Sequence, residues 1–259
     1  MKREHEAKRA LVTGASEGLG RAFARRLEAE GYRVAAVARN ETRLKDLMRE
    51  LGGDAHSYVV ADLSTREGVE RISTMLAQSH YDLLVNNAGA GQRGPFHQAD
   101  LAALQRMIRL NCEAVVALSH AFLWSAKSGD SLVNVSGLQA LLPIPGMGAY
   151  RATKSFIMSF SEALWAEQKD RGVYVMGLCP GATATDFLKK AGAKEGEGPP
   201  AAITQSPDEV VDRAMKTLKK RAKSTVIASS RRLMLLAAIS RLLPRNTVAR
   251  FMAFLASRT

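Results

Sequence analysis

Tyr150 and Lys154 lie four residues apart in the run Tyr-Arg-Ala-Thr-Lys. A phenol and an ammonium at that spacing can move a proton. On a helix, residues four apart share a face, so both side chains meet the same ligand. A tyrosine pKa of about 10 suits neutral pH poorly, and a nearby ammonium favours the phenolate and draws that value down. Ahead of the pair stands one serine, Ser136, followed at once by Gly137. Ser136 is the third candidate for the catalytic set.

A second group of residues suits a phosphate. In Leu-Val-Thr-Gly-Ala-Ser-Glu-Gly-Leu-Gly-Arg, Gly14, Gly18 and Gly20 fall between an apolar run and a helical pattern, with Leu19 among them. Glycine permits a tight turn and close backbone approach, and the amides of a helix N-terminus attract an anion. The next apolar run ends Ala38-Arg39-Asn40, with no carboxylate before Glu41. A dinucleotide site for NAD usually places Asp or Glu there to hold the ribose 2′-hydroxyl, whereas a guanidinium matches a 2′-phosphate in charge and geometry. The expected cofactor is therefore NADP(H), read mainly by Arg39 with support from Ser16. Glu17 runs against this, because a carboxylate in the glycine turn repels a phosphate.

The elements that must position these residues alternate along the chain. Strands are predicted at 10–14, 33–38, 57–61, 82–87, 131–136, 173–179 and 224–229, mostly as continuous apolar runs of the kind covered on both faces. Helical periodicity fills the intervals: Leu19, Phe23, Leu27; then Leu44, Leu47, Met48, Leu51; then Phe156, Phe160, Ala163, Leu164. Such alternation implies a single Rossmann-like, doubly wound α/β domain. Its parallel sheet of about seven strands carries helices on both faces and binds ligands at the strands' carboxyl ends. Residues 1–229 form this domain and 230–259 a basic, amphipathic helical extension. A Gly-, Ala-, Pro- and charge-rich stretch at 189–207 reads as a lid beside the strand ends, before a helix signalled by Ser206-Pro207-Asp208-Glu209.

Composition excludes several classes. The chain has 259 residues, 46% hydrophobic and 24% charged, which suits one large core. Two cysteines without metal-ligand spacing predict neither a disulfide framework nor a metal site, and favour a reducing compartment. The N-terminus has no apolar run of signal-peptide length, and no segment approaches a membrane span. The expected location is cytoplasmic. The net charge is +12, and Lys223 to Thr259 holds seven basic residues and no acidic one. A nucleic-acid partner is not expected, since no recognition motif accompanies the charge.

Six motifs in order resemble the classical short-chain dehydrogenase/reductase family: Thr-Gly-Ala-Ser-Glu-Gly-Leu-Gly (13–20), Ala-Asp-Leu (61–63), Asn-Asn-Ala-Gly (86–89), Leu-Asn-Cys-Glu-Ala (110–114), Tyr-Arg-Ala-Thr-Lys (150–154) and Pro-Gly-Ala-Thr-Ala-Thr-Asp-Phe (180–187). The likeness covers about residues 8 to 229, and the tail is similar to a subgroup with a basic C-terminal extension. The resemblance implies that Asp62, with Leu63, holds the adenine amine. It implies that Asn87, Ala88 and Gly89 support the cofactor ribose, and that Pro180, Gly181, Thr183 and Thr185 pin the nicotinamide carboxamide. It gives Asn111 a helix kink and an ordered water, makes Tyr150 the acid/base, and has Lys154 bind the nicotinamide ribose. It further implies a homodimer or homotetramer.

One position departs from the family pattern. The family places a substrate-binding serine thirteen residues before the tyrosine, and here that residue is Gly137. Side chains alternate along a strand, so Ser136 faces away from the pocket that position 137 faces. A bulge could bring Ser136 round, Gln139 could supply the hydrogen bond from two residues on, or the site could work without that donor.

The function that follows is NADPH-dependent reduction of a lipophilic ketone, or oxidation of the alcohol, on a steroid-like, long-chain acyl or polyketide-derived substrate. Its apolar pocket is drawn from residues 90–96 and from Leu138, Leu141, Leu142, Ile144, Met147, Phe187 and Leu188. The alternatives are an atypical step such as epimerisation, or a non-catalytic NADP(H)-binding protein. The tail either meets a membrane surface peripherally or packs on protein, and Pro244 divides it into two short helices.

Overall fold

The computed structural model describes residues 7–141, 145–193, 200–229, 234–235, 239 and 243–256. Strands β1 (Arg9–Thr13), β2 (Arg33–Ala38), β3 (Ser57–Val60), β4 (Leu83–Asn86), β5 (Ser131–Val135), β6 (Tyr174–Pro180) and β7 (Thr225–Ala228) form one parallel sheet in the order β3-β2-β1-β4-β5-β6-β7. Each lies within one or two residues of its predicted position. Residues alternate across the strands. Ala10 and Val12 face a core layer with Phe23, Leu27, Leu44 and Leu47, while Leu11 faces the opposite layer with Ile72, Leu118 and Phe122.

Helices α1 (Gly18–Ala29), α2 (Glu41–Leu51) and α8 (Pro207–Lys220) cover the first face. Helices α3 (Arg66–Gln78), α5 (Ala114–Ser125) and α6 (Gly148–Glu167) cover the second. Short polar side chains start several of them. Asn40 accepts from the Arg43 amide, Thr65 from Gly68, and Ser206 forms a reciprocal capping box with Glu209.

The strand order reverses between β1 and β4, and the chain is stitched together there. The Thr13 hydroxyl donates to Val85 O and accepts from the Asn87 and Ala88 amides, both at 3.0 Å. The Asn87 carboxamide donates to Thr13 O and Gly14 O. This crevice at the carboxyl ends is where the doubly wound topology places a ligand.

The face that α6 buries differs from the one its apolar residues suggested. Phe156 and Ala163 are exposed, and Phe156 stacks outward on Phe160. The buried face carries Tyr150, Thr153, Lys154, Ile157, Ser161 and Leu164. Polar groups occupy it because the sheet offers them partners: the Asn134 carboxamide donates to Ser161 Oγ, and Asn86 donates to Asn134 Oδ1 and Ser119 Oγ.

The expected lid begins in a short helix, α7 (Phe187–Lys190), and its base is closed by hydrogen bonds between Gln205 and the backbone of Ala182 and Ala184. Residues 194–199 lie outside the described residues. Pro244 stands before the last helix, α9 (Arg245–Ala256), and accepts from the Thr247 and Val248 amides. Most of the tail between Ser229 and Pro244 lies outside the described residues. No described helix is long and apolar enough to cross a membrane.

Candidate active site

A cavity of about 1510 Å³ opens along the carboxyl ends of the strands. The sequence-derived residues converge on its wall, apart from Gly20 and Asn111, which stand just behind it. Ala90, Gly91, Leu138, Met147, Phe187 and Leu188 of the expected pocket line it, and residues 92–96 and Leu141 do not. Leu142 and Ile144 lie outside the described residues.

At the apolar end, Tyr150 and Lys154 project from the first two turns of α6, each 4% exposed. The Lys154 Nζ lies 5.8 Å from the centre of the tyrosine ring and donates to Val135 O at 2.9 Å. Phe187, at the start of α7, packs on the other side of Tyr150, with ring centres 5.4 Å apart. Burial leaves the phenol well above its usual pKa, because desolvation penalises the anion. Burial thus acts on the phenol in the direction opposite to the lowering expected from Lys154. Burial also holds Lys154 down to about 8.

That depressed lysine links function to stability. Between pH 8 and 10.5 the unfolded chain holds a proton that the folded chain has released, so stability rises with pH through that window. Cys179, pushed up to about 11, opposes the rise from roughly pH 9. Below pH 8 the buried ammonium costs up to about 3 kcal/mol, offset in part by its hydrogen bond, which is worth about 1 kcal/mol. Lys154→Met is thus expected to unfold about 1–2 kcal/mol later at pH 7. Its stability should not rise between pH 8 and 9, which denaturant titration at several pH values would check.

Asn111 supports this pair from a π-helical turn, Arg109–Glu113, between α4 (Leu101–Ile108) and α5. It is fully buried. Its carboxamide accepts from the Ala90 amide and donates to Ala90 O and to Thr153 Oγ1, all at 2.9–3.0 Å. A wider turn of this kind aims the side chain inward, off the regular helical ladder. Gly89 completes the contact, since a Cβ there would stand 3.3 Å from Asn111 Oδ1 and 3.4 Å from Lys154 Nζ.

The Ser136 hydroxyl lies in the cavity wall and is bonded to the backbone of α6. It donates to Lys154 O at 2.7 Å and lies against the Cys179 thiol. No bulge brings it round, because β5 keeps its parallel register with β6 through Val135. Gly137 faces the cavity with an extended backbone, φ 171° and ψ 158°, and the Gln139 side chain folds back over it.

The other end of the cavity is a glycine cradle. A Cβ on Gly14 would stand 2.9 Å from Ala88 Cα, and one on Gly20 would strike Gly14 O. Gly14 and Gly18 hold φ of 65° and 52°, which glycine adopts without strain. The cradle leaves room for a ligand's phosphates against the N-terminus of α1, so a dinucleotide fits. Thr185 closes over Gly18, 3.1 Å from where its Cβ would be. The Thr183 hydroxyl donates to Gly181 O, and Gly181 packs on Ser229. Asp62 accepts from the Ser64 amide and hydroxyl, and its other oxygen lies 3.9 Å from Arg39. Arg39 is otherwise extended into solvent at the rim, its side chain 73% exposed.

Three more arginines, Arg21, Arg25 and Arg43, line the same rim. Arg21 pairs with Glu50, and Arg43 pairs with Glu17. The carboxylate that ran against a phosphate site is thus neutralised, since Glu17 also pairs with Lys190 of α7. Arg43 was legible in part, standing four residues after Arg39.

Residues 8–196 match the family model described as short chain dehydrogenase. The chain belongs to the short-chain dehydrogenase family. Probable oxidoreductase EphD of Mycobacterium tuberculosis is 34% identical over 189 residues, 70% of this chain and 32% of the relative, so this chain spans about a third of that relative's length. A short-chain dehydrogenase from Sphingobium yanoikuyae in complex with NADPH superposes with a TM-score of 0.79 at 31% identity, covering 85% of this chain and 87% of that one. A 7β-hydroxysteroid dehydrogenase structure gives a TM-score of 0.82 at 26% identity over 97% of this chain and 98% of its own.

Sequence reasoning missed one wall of this dehydrogenase's cavity. Met252 of α9 lines it together with Pro207 and Asp208 at the start of α8. The basic extension therefore returns to the mouth of the site, and no local pattern announced that contact. Among the described residues, one group of His, Asp and Glu or Cys is close enough to share an ion. It comprises His80, Asp82 and Asp130 at the amino ends of β4 and β5, away from the cavity.

Proposed function

We propose that this short-chain dehydrogenase reduces a lipophilic ketone with NADPH, and oxidises the alcohol in reverse. The observation that carries the reading is one continuous cavity. It has a buried phenol and ammonium at its apolar end and a glycine cradle rimmed by arginines at the other. Gly14, Gly18 and Leu19 would hold the pyrophosphate, and Arg39, Arg43 and Ser16 the 2′-phosphate. Asp62 and Leu63 would hold the adenine. Asn87, Ala88, Gly89 and Lys154 would hold the ribose, and Pro180, Gly181, Thr183 and Thr185 the carboxamide. NADPH supplies the hydride when bound.

The protein's own part is a proton and an orientation. As the carbonyl π bond breaks, its oxygen takes the Tyr150 proton, and the ketone becomes an alcohol. A phenol raised by burial stays protonated at neutral pH and suits donation. Oxidation needs the phenolate as base and is favoured at alkaline pH. Asn111 positions the Ala90 backbone and Thr153 beside the pair. Leu138, Met147, Phe187, Leu188 and Met252 supply the apolar wall, which suits a bulky alicyclic or long-chain substrate. The likeness to a hydroxysteroid dehydrogenase over nearly the whole chain supports the same class. Met252 in the wall favours packing of the extension on the domain over a membrane contact. Exposed Trp124 and Phe156 on α5 and α6 support self-association into a dimer or tetramer.

The test is NADPH consumption, followed by absorbance, with trans-1-decalone, cyclohexyl phenyl ketone and a 3-oxo-octanoyl thioester. At least one should turn over, with a reduction rate nearly flat from pH 6 to 8. Oxidation of the matching alcohol should rise steadily with pH. No turnover of any ketone by protein that binds NADPH would refute the reading.

A further inference from the structure

We propose that the Gln139 carboxamide takes the place of a side chain at position 137 as the second hydrogen-bond partner of the substrate oxygen, beside Tyr150. The inference rests on the ketone-reductase reading and names a further residue of that site.

Four observations carry it. First, the Gln139 side chain lies over the space that a side chain at 137 would enter: a Cβ on Gly137 would meet Gln139 Oε1, the movable end of that side chain, and stand 3.6 Å from Gln139 Cδ. Second, the glycine is not there for backbone freedom. Its φ of 171° is extended backbone that any residue adopts, so what the missing Cβ provides is room for the glutamine. Third, Gln139 lies in a single tight turn, Leu138–Ala140, whose other two side chains are buried in the core. That turn directs the half-buried Gln139 to the cavity wall, which it shares with Gly137 and Tyr150. Fourth, the carboxamide makes no hydrogen bond to another described residue. It is free to rotate about its last bond and present Nε2 as a donor.

The alternative donor is committed elsewhere, since the Ser136 hydroxyl bonds Lys154 O. A carbonyl oxygen that gains charge as hydride arrives is best stabilised by two donors set in advance, and Tyr150 alone supplies one. Glycine at 137 and glutamine at 139 are therefore a matched pair, in which one makes the space that the other uses.

The pair makes an exchange experiment possible. Using the full chain with NADPH and the same three ketones, kcat and KM are measured for Gln139→Ala, Gly137→Ser, the double variant and Tyr150→Phe. Gln139→Ala should lose about a hundredfold in kcat/KM, mostly in kcat. Gly137→Ser alone should gain nothing, because the serine and the glutamine compete for one space. The double variant should recover at least about tenfold over Gln139→Ala, because a hydroxyl then has both the room and the oxygen to itself. NADPH binding, read by its fluorescence, should stay within about twofold throughout, which a general structural defect would not allow.

Gln139→Ala within threefold of wild type overturns the proposal, as does a double variant no faster than Gln139→Ala. If Gln139→Ala fails to bind NADPH, Gln139→Met keeps the volume without the donor and gives the same comparison. Full activity in Tyr150→Phe, or no ketone turned over by the wild type, overturns the reductase reading and this inference with it. A loss in Tyr150→Phe with none in Gln139→Ala leaves the reading standing and removes only the role of Gln139.

Discussion

Tyr150→Phe is expected to lower kcat for ketone reduction by about 10³-fold while leaving NADPH affinity within about twofold. The substitution removes one oxygen from a ring that is otherwise held in place. Phe187 packs on that ring at 5.4 Å, and Lys154 lies 5.8 Å from its centre. Phenylalanine keeps these contacts, so the fold and the cofactor site should be preserved. What disappears is the phenolic proton that the proposed mechanism delivers at the apolar end of the cavity. Stopped-flow hydride transfer with NADPH would separate chemistry from binding. A variant as fast as wild type would sink the mechanism, since the oxygen would then take its proton from another group, such as the Lys154 ammonium in the same wall.

Arg39→Ala should weaken NADPH binding by about 10- to 100-fold and leave NADH binding nearly unchanged. A hydrogen bond to a charged group is worth about 1.5–3 kcal/mol, which sets that range. The side chain has no close commitment in the structure, its nearest carboxylate being 3.9 Å away. It can therefore turn to a 2′-phosphate at little cost. Arg43 is the reason to expect the lower half of the range, because it lines the same rim and keeps some attraction for the anion. Its pairing with Glu17 makes it the weaker of the two. Raising the salt concentration should narrow the gap between wild type and variant, as an exposed charge is screened within about 10 Å at 0.1 M. Fluorescence titration with both cofactors would check this, and tighter binding of NADH than NADPH by the wild type would refute the reading of Arg39.

Much of this was local chemistry and could be read from the chain. The strands are continuous apolar runs, so burial on both faces follows from their composition, and the sheet has them within a residue or two. Gly14 and Gly20 are legible because only glycine fits a turn so close to other backbone, and Gly18 because it holds a positive φ. Ser206 marks a helix start because a short polar side chain caps the orphan amides. Even the displaced serine could be counted, although strand alternation placed Ser136 away from the pocket and the structure has it in the cavity wall beside Gly137, its hydroxyl bonded to Lys154 O.

Contacts between segments distant in the chain could not be read that way. Helix α6 buries Lys154, Thr153 and Ser161 in preference to Phe156, because β5 and the turn at Asn111 offer those polar groups partners, and no periodicity records a partner. The fate of Glu17 depended on Arg43 and Lys190 reaching it from α2 and α7. Met252 meets the cavity from more than a hundred residues beyond Tyr150. The strands, the glycine turn and the tyrosine–lysine spacing are written in the order of residues, because each depends on neighbours a turn or two away. Which tail residue walls the cavity, how the charges at its rim are matched and how Gln139 lies over Gly137 emerge with the folded chain. Those outcomes depend on distances across the fold, and the order of residues does not contain them.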